Sequence, residues 1–158
     1  MQKPPIRVYA DTSVYGGTRD DEFADDSRTF FEQVRLGRFE LAVSAVVLEE
    51  LDQAPASVRA LFDEVLSLAQ IAEITEAAQQ LQRAYIDAGI LTPKWEEDAL
   101  HVALATTSGC RVIVSWNFKH IVHFQKIPRY NAVNVLHGYD PIAIHSPSEV
   151  IAYEEEDL

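Results

Sequence analysis

The sequence holds one cysteine, Cys110, in 158 residues. A lone thiol closes no internal disulfide and leaves no Cys-based zinc site, a pattern expected of a protein in a reducing cytoplasm. Cys110 lies between Gly109 and a valine-rich stretch, the setting of a structural thiol rather than a nucleophile. No apolar run is long enough to span a bilayer, and residues 1–5 lack the apolar core of a secretory leader, so no membrane association is expected. Basic residues are scarce: 13 Lys and Arg stand against 25 Asp and Glu, a net charge of −12. That balance excludes a generic nucleic-acid coat protein. Internal repeats, low-complexity tracts and linkers are also missing, and the length fits a single domain over residues 1–158.

What is present is a sizeable hydrophobic fraction, 47%, and an uneven placing of charge. Acids crowd residues 20–26, 96–98 and 154–157. Residues 99–139 contain no acid, but they carry Arg111, Lys119, Lys126, Arg129 and four of the five histidines. A local basic face on an acidic protein would suit nucleic acid; a neutral stretch with a few solvated cations is the plainer alternative.

The pattern alternates strands and helices. Ile6-Arg7-Val8-Tyr9-Ala10 predicts a strand that runs into Asp11-Thr12-Ser13 and a turn carrying Gly16-Gly17. Asp25, Asp26 or Ser27 is expected to cap a helix reaching about Leu36, stopped by Gly37. Residues 39–43 predict the second strand, and Ser44 opens a short helix that includes Glu49 and Glu50. Val58, Leu61, Phe62, Val65 and Leu66 recur at helical spacing. Residues 71–74 predict a short strand or an extended link. Thr75 caps a helix closed by Gly89, and a further helix from Pro93 to about Ser108 places Asp98 on one face with Val102 and Ala105. Residues 111–115 predict a strand leading into Trp116-Asn117-Phe118-Lys119-His120. A helix over 127–137, a strand over 142–144 and a last helical turn at Ser146 follow. This order predicts an α/β fold, three layers α/β/α around a central, mostly parallel sheet.

Ligands of parallel α/β sheets bind outside the carboxyl ends of the strands. Asp11, Glu50 (or Glu49), Asp98 and Asn117 each lie at such an end or on a helix face aimed at the sheet. Converging carboxylates repel unless a cation neutralises them, and hard divalent ions such as Mg²⁺ and Mn²⁺ take oxygen ligands of this kind. Asp11 taken alone is first of all a turn or capping residue, since Asp-Thr-Ser is ordinary turn chemistry.

Four segments, in order and spacing, resemble the PIN-domain family and its VapC-like toxins. They are Val8-Tyr9-Ala10-Asp11-Thr12-Ser13, Val43-Ser44-Ala45-Val46-Val47-Leu48-Glu49-Glu50-Leu51, Asp98-Ala99-Leu100-His101-Val102-Ala103-Leu104-Ala105, and Ile113-Val114-Ser115-Trp116-Asn117-Phe118. The resemblance implies a Mg²⁺- or Mn²⁺-dependent endoribonuclease, the toxin of a toxin–antitoxin pair, working as a homodimer with a small antitoxin partner. It assigns Asp11, Glu50 and Asp98 as metal ligands, favouring Glu50 over Glu49, and Asn117 as the fourth catalytic position. The family usually has Asp there. Asn keeps an oxygen and removes a charge, so one well-held metal and a weak second are expected. Lys119, Arg111, Arg129 and Ser115 are the expected contacts to RNA. His120 and His123 would touch phosphate or serve only as surface; Trp116 and Phe118 are expected to pack rather than stack on bases.

Two other classes stay open on the sequence. One is a PIN fold without catalysis that binds RNA or protein, favoured by Asn117 and the net charge. The other is an α/β metal-dependent phosphatase with Asp11 as nucleophile, which usually wants a second Asp where Ser13 stands.

Overall fold

A computed structural model describes residues 4–152, so the acidic segment expected at 154–157 lies outside the described residues. Five strands form one parallel sheet: β1 (Ile6–Ala10), β2 (Phe39–Val43), β3 (Gln70–Ile71), β4 (Val112–Val114) and β5 (Ala143–His145). Their spatial order is β3-β2-β1-β4-β5, which puts β1 in the middle. Val8 stands opposite Leu41 on one side and Val112 on the other; Ala10 stands opposite Val114. Val8, Tyr9 and Ala10 are fully buried, as a strand covered on both faces requires.

Eight helices complete the described part: α1 (Thr12–Gly17), α2 (Ala24–Arg35), α3 (Ala45–Glu50), α4 (Ala56–Leu66), α5 (Glu76–Asp87), α6 (Glu96–Thr107), α7 (Ile127–Leu136) and α8 (Pro147–Val150). A single 3₁₀ turn, Pro93–Trp95, leads into α6. Helices α1, α2, α4 and α8 pack on one another, and α5 packs on both α6 and α7, giving the expected three-layer α/β/α fold. None of the described helices is long and apolar enough to cross a membrane.

The structure departs from the sequence reading in four places. Gly16 and Gly17 close the helix α1 instead of a turn. A Cβ on Gly17 would stand 2.5 Å from Ser27 Oγ and 2.8 Å from Trp116 Nε1, so only hydrogen lets α1 approach α2 this closely. Helix α2 begins at Ala24 with no side-chain cap. Ser27 is buried inside it and accepts from Trp116 Nε1 at 2.8 Å, which explains why a residue suited to capping is found elsewhere. The short strand is Gln70–Ile71 rather than 71–74, because only these residues pair with β2. Helix α6 is buried nearly all round rather than on one face, since it lies against both α5 and β4.

Candidate active site

The parallel register brings the ends of β1, β2 and β4 to one edge. Each is followed by a residue with a short polar side chain: Asp11, Ser44 and Ser115. Asp11 caps α1 and is buried. Its Oδ1 accepts from Ser13 N at 3.1 Å and Ser13 Oγ at 2.5 Å, and its Oδ2 accepts from Ser115 Oγ at 2.7 Å. Burial raises the Asp11 carboxyl above the usual range, and the nearby Asp98 charge adds to that; His101, Ser13 and Ser115 pull the other way. Ser115 thus holds a carboxylate and also accepts from Asn117 N at 2.9 Å. Ser13, in the position where a phosphatase would carry its second Asp, clamps Asp11 instead.

Glu50 ends α3 at the rim of the same edge, where its Oε1 accepts from Thr12 Oγ1 at 3.0 Å and lies 2.6 Å from His101 Nε2. Glu49 faces a different cavity, beside Leu48, Asp52 and Arg59. The adjacent glutamates are therefore separated by the turn of the helix, and Glu50 is the one brought to the neighbours of Asp11. Glu50 is partly buried, which raises its pKa, but the hydrogen bond and charge of His101 outweigh this and hold it below the usual carboxylate range.

His101 is the group that sequence reasoning missed. It sits one turn beyond Asp98 on α6, is 1% exposed, and joins a buried chain. Its Nδ1 is 2.7 Å from the Tyr9 hydroxyl, which is 2.8 Å from Ser44 Oγ; Ser44 in turn accepts from Val47 N at 3.4 Å and caps α3. Burial opposes a charged imidazole here, but Glu50, Asp11 and Asp98 surround it and raise its pKa above the ordinary value. The i, i+3 spacing of Asp98 and His101 was the available signal, and the all-apolar surroundings of His101 in α6 obscured it.

Asp98 is half-buried, and burial raises its carboxyl, with a hydrogen bond from Asn117 opposing. Asn117 Oδ1 accepts from His120 N at 2.9 Å. The amide oxygen is therefore engaged by backbone, while the amide nitrogen is the end that serves Asp98. Glu50, Asp98, Asn117 and His120 line one cavity of about 490 Å³, together with Lys94 and Trp95.

The expected RNA-contacting residues divide. Ser115 and Lys119 are at this edge; Lys119 Nζ lies 5.6 Å from the centre of the Trp95 ring. Arg111 precedes β4 and lines a cavity with Gly109, Gly138 and Tyr139 at the amino ends of the strands. Arg129, on α7, donates to Ala88 O at 2.8 Å. Trp116 packs as expected: it stacks on Phe23 at 4.2 Å and 17°. His120 is buried rather than part of the surface.

The donor chemistry fits a hard divalent cation, because the Asp98 charge reaches Asp11 and the Glu50 charge reaches Asp98. Even so, no group of three or more His, Cys, Asp or Glu among the described residues is gathered at ligand distance. Among the described residues these carboxylates have His101 as a cationic partner, and Asp98 also has His120.

No protein-family model matches the sequence, and no curated protein does. Among solved structures, the fold is similar to a chain in the crystal structure of VapBC2 from Rickettsia felis bound to a DNA fragment from their promoter. The TM-score is 0.58 with 16% identity, over 89% of this chain and 98% of that one. The likeness is one of fold.

Proposed function

We propose that the protein is a Mg²⁺- or Mn²⁺-dependent endoribonuclease of the VapC-like kind. One observation carries this reading: Asp98 lies close enough to both Asp11 and Glu50 for their charges to interact, at the carboxyl edge of a parallel sheet whose fold is similar to that of a VapBC2 chain.

Asp11, Glu50 and Asp98 would hold the cation. When bound, it supplies Lewis-acid activation of water and neutralisation of charge at the phosphate. The residues of the chain prepare the ground. Ser13 and Ser115 fix both oxygens of Asp11. Thr12 and His101 fix one oxygen of Glu50, Oε1. Lys119 adds positive charge where a phosphodiester would lie. The partners consistent with this reading are RNA as substrate, a second copy of the chain and a small antitoxin protein; the neighbour in the VapBC2 complex makes the last natural.

Cleavage of a single-stranded RNA in Mn²⁺ by the purified protein, lost in Asp11→Asn, tests the reading. Asp11→Asn should melt no lower than wild type at neutral pH in chelator, because a neutral isostere removes the burial cost that raises the Asp11 carboxyl. Absence of RNA cleavage in both Mg²⁺ and Mn²⁺ would overturn it.

A second reading, a PIN fold that binds RNA without cutting it, is favoured by the Asn117 amide and by the Glu50–His101 contact. Asn117→Asp separates the two. It sets a carboxylate against Asp98, so the metal-free protein should melt lower, while Mn²⁺ should raise the melting temperature more than in wild type. Equal Mn²⁺ shifts in the two proteins favour the non-catalytic reading.

A further inference from the structure

Asp11 takes more hydrogen bonds than a helix cap needs, and two of them run through serines. A hydroxyl has one proton, accepts at its oxygen, and turns to suit its partners. Here its direction is fixed. Ser13 Oγ accepts from Trp116 N at 2.8 Å, so its own proton goes to Asp11 Oδ1 at 2.5 Å. Ser115 Oγ accepts from Asn117 N at 2.9 Å and gives its proton to Asp11 Oδ2 at 2.7 Å. Two consecutive backbone N–H groups thus steer two hydroxyls onto the two oxygens of one buried carboxylate. Oδ1 takes a second bond from Ser13 N at 3.1 Å. A carboxylate oxygen accepts about two bonds, so Oδ2 is the oxygen that retains capacity for a cation.

What holds these N–H groups in place belongs to another element. The Trp116 indole donates from Nε1 to Ser27 Oγ at 2.8 Å, inside α2. Its ring stacks on Phe23, the residue before α2, with centroids 4.2 Å apart at 17°. Gly17 permits the approach, because a Cβ there would stand 2.8 Å from Nε1. Packing alone accounts for the stack on Phe23. The bond to Ser27 does more: it fixes the ring within its plane, and with the ring the backbone that carries both N–H groups. Ser27 is fully buried, and among the described residues its hydroxyl bonds the indole and no carboxylate. A bond lost at Ser27 is therefore felt at Asp11 only through Trp116.

We propose that Trp116 is a positioning residue for Asp11: anchored to α2 through Phe23 and Ser27, it holds the N–H that directs the Ser13 hydroxyl onto the carboxylate, and with Asn117 and Ser115 it sets the orientation in which Asp11 meets a divalent cation. The proposal rests on the metal-dependent reading for the identity of that cation. Outer partners of a metal ligand orient the ligand, and removing one typically weakens metal binding about 10- to 100-fold. The indole stands one step further out than Ser13, so its effect is the smaller.

Titration calorimetry with Mn²⁺ on each folded protein tests this apart from cleavage. Ser13→Ala should weaken Mn²⁺ binding about tenfold or more, and Ser13→Thr, which keeps the hydroxyl, should bind within about twofold of wild type. Trp116→Phe keeps a ring against Phe23, and Ser27→Ala keeps the indole. Each should weaken Mn²⁺ binding about fivefold, and the double variant no further than either alone, because both break one bond. Tyr85→Phe, which deletes a buried hydroxyl bonded to Asn134 and remote from Asp11 in the hydrogen-bond network, should melt lower and bind Mn²⁺ as wild type does. Ser27→Ala and Trp116→Phe proteins that melt lower yet bind Mn²⁺ within about twofold of wild type overturn the proposal, since the indole then serves the fold alone. So does a double variant in which the two single effects combine in full. If Trp116→Phe does not fold, Ser27→Ala decides by the same measure. A wild type that binds no Mn²⁺ overturns this proposal together with the ribonuclease reading. RNA cut in Mn²⁺ with unaltered Mn²⁺ binding in every variant leaves the ribonuclease without the positioning role. Mn²⁺ binding weakened as expected in a protein that cuts no RNA leaves the positioning role without the ribonuclease.

Discussion

Two histidines, His101 and His120, border the same carboxylates and are treated in opposite ways. His101 is matched at both nitrogens, one to Glu50 and one to Tyr9, and Tyr9 passes the chain on to Ser44. His120 is matched at neither. Burial alone does not separate them, for both are nearly inaccessible. What differs is where hydroxyls and carboxylates stand. The first histidine faces the sheet, where β1 and the cap of α3 supply partners, and it holds Glu50. The second is buried where no neighbouring group among the described residues offers it a partner. A satisfied buried polar network rigidifies; an unsatisfied group marks either strain or a ligand.

The comparison can be broken most severely at His101. His101→Ala removes the cationic partner of Glu50 and leaves the Tyr9 hydroxyl short of a contact in a buried space. A loss on the order of 2–4 kcal/mol is expected by urea unfolding, below the full cost of breaking a buried pair because Glu50 reaches the rim. A loss below about 0.5 kcal/mol would mean that the chain from Glu50 to Ser44 contributes nothing. Tyr9→Phe is gentler. It deletes only the hydroxyl that joins His101 to Ser44 and should cost about 1–2 kcal/mol, with a matching fall in the RNA cleavage rate if Glu50 must be held.

Titration sharpens the contrast next. The raised pKa of His101 means that its contribution is complete below the ordinary imidazole value and is lost as pH rises through the folded value. The raised carboxyls of Asp11 and Asp98 act in the same direction, since the folded state holds their protons longer than the unfolded chain does. Glu50 is lowered and acts in the opposite direction, but only in acid. His120, lowered by burial, acts in the opposite direction below the ordinary imidazole value. Melts of the metal-free protein should therefore fall as pH rises above about 6.5, and His101→Asn should flatten that fall. A melting temperature that rises across this window would contradict the charge assignment. The smallest effect is expected beside Trp95: Lys94→Ala, which breaks no ion pair among the described residues, should change stability by no more than about 0.5 kcal/mol. A larger loss would make the lysines around Trp95 part of the scaffold.

How far the sequence reaches is visible in particular residues. The strand that ends in Asp11 and the strand over 39–43 could be read directly, because their apolar runs are bounded by polar residues that local chemistry places at strand ends. Thr75 as a cap, Gly89 and Gly109 as helix stops, and Pro93 at the start of a helical turn were legible for the same reason: each acts within a turn of its own position. Asp11, Glu50, Asp98 and Asn117 could be nominated from their positions after strands and on helices.

Tertiary structure alone decided what those residues touch. Gly17 lies in a helix because Ser27 and Trp116, far along the chain, leave room only for hydrogen. Arg111 and Lys119 are eight positions apart and look alike in sequence, but a strand runs between them, so they emerge at opposite ends of the sheet. The partners of His101 come from β1 and α3, whereas His120 is buried where no described element supplies one. Sequence periodicity reports which face of an element is buried. Whether a buried polar atom finds a partner depends on distances of a few tenths of an ångström between elements, and those are set only when the layers pack.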